Sequence, residues 1–279
     1  MVLERLYSVQ WIEQKARYAF IMGVSYSILG IAAALFLFPS NPGMVAIAFT
    51  SLLILPSLHK LLSLEAGQAA QEKTFNIWKL FQDHTDIFKI YFFMFLGILL
   101  AFAFFSLVWP PLATSRIFTE QASFIMGGAT GGAASKGMLG LLLSNNFKVL
   151  IIALLASLFY GTGAVFIITW NASVWGVIFG LIAKNSAAAA GTHPTIFFIL
   201  MIIAVFPHMA LEAFSYFLGA ISGGILSKAV IREKPFTNRF NQITKDSMMM
   251  FILAIIVVII AAVIEVYLTG RVISLFGLF

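Results

Sequence analysis

The chain has no cysteine, and charged residues make up only 10% of its 279 positions. Without cysteine there is no disulfide framework, no thiolate metal site and no thiol nucleophile. The shortage of charge is the more telling absence, because soluble domains carry roughly 25% charged residues to keep their surfaces in water. Hydrolase signatures are missing as well. There is no Gly-x-Ser-x-Gly elbow and no catalytic aspartate pair, and no second histidine flanks a glutamate in the zinc-protease pattern. Nothing implies a cofactor. The net charge of +6 is not gathered into a basic domain. Its lysines and arginines sit at the ends of apolar runs, which speaks for membrane orientation and against nucleic acid.

What remains is 61% hydrophobic, with 29 phenylalanines. Runs such as 90–109 and 248–262 hold no charge at all, close to the roughly 20 residues a helix needs to cross hydrocarbon. The expected fold class is therefore all-α: a polytopic transmembrane helical bundle of about six or seven spans, with one broken helix and interfacial amphipathic helices. In residues 1–18, Leu3, Tyr7 and Trp11 recur at helical spacing opposite Glu4, Arg5, Glu13, Lys15 and Arg17, the pattern of an interfacial helix. The apolar run from Phe20 to Phe38 has no cleavage site behind it and reads as an uncleaved first span. Pro39-Ser40-Asn41-Pro42-Gly43 stops it, and a return span over 44–58 completes an N-terminal unit of residues 1–60.

Residues 61–88 read as a cytoplasmic amphipathic segment, 89–228 as the transmembrane core, and 229–279 as a basic loop with a last span. Within the core, a third span runs from Lys89 to Trp109. Residues 112–144, with Gly127-Gly128 and Gly131-Gly132, read as an extramembrane or re-entrant loop. A fourth span runs from Asn145 through Gly161-Thr162-Gly163 to Trp170, and a short pass follows over 171–183. The stretch 195–226 is too long and apolar for one simple span and contains Pro207, so it reads as broken or kinked. With seven crossings and a cytoplasmic N-terminus, 12 of the 17 lysines and arginines fall on the cytoplasmic side, as the positive-inside rule asks. The expected location is the cell membrane, multi-pass.

Ionisable groups in hydrocarbon are costly and need a partner or a purpose. His208 and Glu212 stand out because their spacing of four puts both side chains on one helix face. Pro207 before them removes a backbone N–H and frees a carbonyl near Ile203. The amides of Asn145, Asn146 and Asn171 are the polar groups elsewhere at membrane depth. Three readings stay open. The cluster satisfies itself and fixes helix packing, or it binds a transported solute or lipid headgroup at the helix break, or it offers His208 and Glu212 as two zinc ligands. Gly176 and Gly180, like Gly219 and Gly223, place small residues on one face for close helix packing, within the chain or between copies of it. Glu265, near the end of the last span, reads as interfacial and solvated.

Ser144-Asn145-Asn146 opening a span, Gly161-Thr162-Gly163, Asn171 with Gly176, and Pro207-His208-x-x-x-Glu212 followed by Gly219 and Gly223 together resemble the stage II sporulation protein M family. The likeness covers residues 140–228, and Asp83-His84 through Trp109 resembles archaeal members; residues 1–60 and 229–279 carry little of it. Family members commonly have glycine where this chain has Ala172 and Met209. The resemblance implies a membrane protein without known catalytic activity, whose bacterial namesake works in a complex with peptidoglycan-degrading partners. The resulting expectation is a non-enzymatic scaffold in the lipid bilayer with membrane protein partners, a homo-oligomer among the assemblies it allows. The alternative is a transporter or lipid-handling permease with its site at Pro207, His208 and Glu212.

Overall fold

The computed structural model describes residues 16–68, 77–126 and 136–275. Residues 1–15 of the interfacial helix expected over 1–18, most of the surface segment's side chains and both glycine pairs of the long loop lie outside the described residues. No strand occurs among the described residues, and seven helices are long and apolar enough to cross a membrane. In chain order the helices are α1 (Tyr18–Leu37), α2 (Pro42–Gln68), α3 (Ile77–Val108), α4 (Pro111–Ile117), α5 (Thr119–Met126), α6 (Lys136–Tyr160), α7 (Ala164–Ala190), α8 (Pro194–Arg232) and α9 (Asn238–Ile264). A five-residue π-turn, Glu265–Thr269, then leads into α10 (Gly270–Leu275). The protein is thus a multi-pass helical membrane bundle, as its composition requires.

The packing order follows where small residues let backbones meet. Gly23 on α1 lies against the Met94 carbonyl of α3, and Gly97 of α3 lies against the Phe20 carbonyl of α1. Gly176 and Gly180 on α7 meet the Leu99 carbonyl and Ser106 of α3. Gly219 and Gly223 on α8 meet Leu150 and the Leu154 carbonyl of α6. Without a hydrophobic drive between helices in lipid, such close approaches and the dispersion contacts they permit hold the bundle together. The helices α3, α7 and α8 form its centre, with α1 and α2 against one side and α6 and α9 against the other. Rings from three helices fill that centre: Tyr91 stacks on Phe217 with centroids 5.6 Å apart, and Phe95 stands edge-on to Trp175 at 5.4 Å. Polar ties add register. The Ser106 hydroxyl donates to the Val177 carbonyl at 2.9 Å, and Ser222 and Ser247 hydrogen-bond each other's carbonyls at 2.7 and 2.9 Å.

Several boundaries differ from the sequence expectation. The fourth span does not run through Gly161-Thr162-Gly163 to Trp170; α6 ends at Tyr160, and these three residues form the turn into α7. Gly161 takes a left-handed φ of 66°, a conformation that glycine alone adopts without cost, so the helix stops there although no polar residue marks the stop. Consequently 171–183 is the middle of a 27-residue helix and not a short pass, and α7 ends at a second left-handed glycine, Gly191. The segment 112–144 is no single loop, since it contains α4, α5 and the start of α6. The long stretch around Pro207 is not broken: α8 is one helix of 39 residues with Pro207 inside it. A lone proline removes one donor, and the ladder on either side is enough to carry the helix past it.

Candidate functional site

The longest helix carries the site. On α8, His208 and Glu212 are one turn apart and both buried, while Pro207 beside them is exposed on the outer face. Glu212 Oε1 accepts a 2.6 Å hydrogen bond from Asn146 Nδ2 on α6. Asn146 Oδ1 in turn accepts from the Tyr216 hydroxyl at 3.1 Å, one turn along α8 from Glu212. Both ends of the Asn146 amide are therefore occupied, which fixes its orientation. The close approach of α6 to α8 that allows this is set by Leu150 lying over Gly219.

A third helix end completes the cluster. Glu265 faces Glu212, near enough for the two carboxyl groups to act on each other. His208 Nδ1 lies 2.8 Å from Thr269 Oγ1, with either atom able to donate depending on the imidazole tautomer. Glu265 and Thr269 are the first and last residues of the π-turn. Its wider coil leaves Leu268 outward and turns Thr269 inward, and single turns of this kind recur at functional positions. Glu265 is thus not free in solvent, where the sequence expectation had it; its neighbour Glu212 sits 53 positions earlier in the chain, 265 against 212, beyond any local pattern.

The expected residues do not all converge. Asn146, His208 and Glu212 come together, joined by Glu265, which the sequence placed at the interface, and by Tyr216 and Thr269, which the sequence reading did not single out. Asn145 points to the exterior, one helical step round from Asn146. Asn171 donates to the Ile167 carbonyl of its own helix at 2.8 Å and stands apart. Gly161 and Gly163 belong to the α6–α7 turn, and the two remaining glycine pairs line the α7–α3 and α8–α6 contacts. Among the described residues no three His, Asp or Glu side chains close on a point that could hold a metal ion. No buried polar atom of Asn146, His208, Glu212, Tyr216 or Thr269 is without a hydrogen-bond partner. Chemically the arrangement is a self-satisfied polar rivet through α6, α8 and the π-turn.

The sequence profile described as Stage II sporulation protein M matches residues 89–270. That span covers all six members of the cluster and, unlike the likeness read from motifs, continues through the last transmembrane helix to the π-turn. An uncharacterized protein of Methanocaldococcus jannaschii is 26% identical over 137 residues, 47% of this chain and 70% of the relative. No solved structure matches the chain.

Proposed function

The chain belongs to the stage II sporulation protein M family, and from that premise we propose that it works without catalysis, as a scaffold that assembles other membrane proteins in the bilayer. The observation that carries this reading is that the polar groups of the cluster satisfy one another. A binding site keeps donors or acceptors for its ligand, whereas here Asn146 is occupied at both ends, by Glu212 and by Tyr216. Leaving one such group unpaired costs about 1–3 kcal/mol, so the network resists rearrangement and holds α6 at a fixed angle to α8. Rigid presentation of an outer helix is what a scaffold needs. With the N-terminus in the cytoplasm, the cluster lies toward the outer leaflet and the α6–α7 and α8–α9 turns face the cytoplasm.

The permease reading keeps one observation in its favour, the proximity of the Glu212 and Glu265 carboxyl groups within the span region, since carboxyl pairs of this kind can relay protons. Purified chain in proteoliposomes separates the two. The scaffold reading expects no solute- or pH-gradient-driven flux, with Glu212→Gln lowering thermal stability and leaving permeability unchanged. A flux that Glu212→Gln abolishes would overturn it in favour of the permease.

A further inference from the structure

The face of α6 opposite the rivet carries a charge that no described residue neutralises. Asn146, Leu150, Ala153 and Ser157 recur at helical spacing and are buried against the bundle. On the other side Ser144, Asn145 and Lys148 are exposed, framed by Leu141, Ile152 and Leu155, which are 75%, 49% and 42% exposed. Lys148 has no hydrogen-bond or ion-pair partner among the described residues, whereas Lys184 on α7 donates to the Trp109 carbonyl at the end of α3. Only 17% of the α6 span is buried, the lowest share of the seven.

Depth decides what can meet this lysine. Lys148 is the central residue of Lys136–Tyr160, about 18 Å from either end at 1.5 Å per residue. Its side chain reaches roughly 6 Å, short of the interface about 15 Å from the bilayer centre, so a lipid phosphate is out of reach. A second copy docking symmetrically through α6 would set Lys148 beside its counterpart, and α6 holds no aspartate or glutamate to offset the repulsion. Charge complementarity leaves a carboxylate brought by another chain. We propose that the outer face of α6 docks a transmembrane helix of a different protein that carries a carboxylate at mid-membrane depth, with Ser144 and Asn145 supplying flanking hydrogen bonds. The proposal rests on the scaffold reading and names the chemistry of the partner.

Because the chain has no cysteine, Ile152→Cys labels α6 and Ile256→Cys labels the apolar outer side of α9. The full-length chain is reconstituted in phosphatidylcholine vesicles with a dye-bearing, leucine-rich synthetic transmembrane helix that holds one central glutamate. Energy transfer from Ile152→Cys should report binding about tenfold tighter than for the same helix with a central leucine. Lys148→Leu should erase that preference, and Lys148→Arg should keep it. Equal binding of the two helices, or a preference that survives Lys148→Leu, overturns the proposal. Transfer between two copies labelled at Ile152→Cys without peptide would also overturn it, making a second copy the occupant. Photocrosslinking in native membranes separates the two levels. Partners captured from Ile256→Cys but not from Ile152→Cys sink this surface and leave the scaffold standing, and capture from neither sinks the scaffold as well.

Discussion

Helices α6 and α7 are joined by a three-residue turn and share a mean hydropathy of 1.9, yet 17% of the α6 span is buried against 61% of the α7 span. Apolarity cannot separate them, because lipid tails and protein interior are equally good solvents for leucine and isoleucine. What separates them is where the small residues lie. α7 presents Ala172, Ser173, Gly176, Gly180 and Ala183 to its neighbours, all buried, and sits between α3, α8 and the shorter helices. α6 presents one narrow stripe to α8, and its Gly140 has open space around it. Of two equally hydrophobic helices, one is a core element and the other an outer wall whose lysine has no partner among the described residues.

The largest effect should come from filling the α7 contact. Gly176→Leu would drive a side chain into the Leu99 carbonyl and Phe102, rigid neighbours that cannot step aside, and should cost about 3 kcal/mol in detergent unfolding. The matching change on the wall, Gly140→Leu, meets nothing within 4 Å and should be neutral or slightly stabilising. Equal losses at the two positions would erase the distinction between core and wall.

A smaller contrast lies within α6 itself. Asn146→Ala strips a partner from both Glu212 and Tyr216 and should cost about 1–2 kcal/mol, while Asn145→Ala, its exposed neighbour, should stay within about 0.5 kcal/mol. Indistinguishable melting points for the two variants would mean that the rivet does not hold α6. The Glu212–Glu265 contact is best measured as a double-mutant cycle with glutamine at each position. A coupling of about 1 kcal/mol is expected, and additivity within error would show that the two carboxyls do not act on each other. Smallest of all, Lys148→Leu should leave the stability of the isolated protein nearly unchanged, since that side chain has no partner among the described residues; a clear loss would reveal an internal contact.

Where a signal was local, the sequence was sufficient. Absence of charge over about 20 residues requires a helix in lipid, because backbone polar groups there must pair within their own segment, so the all-α class and the N-terminal hairpin around Pro39 to Gly43 were legible. The shared face of His208 and Glu212 was legible too, since helical periodicity places residues four apart together. The end of α6 was not, because Gly161 interrupts a helix without changing hydropathy, and Pro207 misled in the opposite sense by marking a break that the neighbouring hydrogen bonds make unnecessary. Nor could spacing tell Asn146 from Asn145, or bring Glu265 and Thr269 to a site on α8. A helix records its own faces in its sequence, but which face meets lipid and which meets protein depends on the neighbours that arrive. In a bilayer both environments are apolar, so only the packed structure decides.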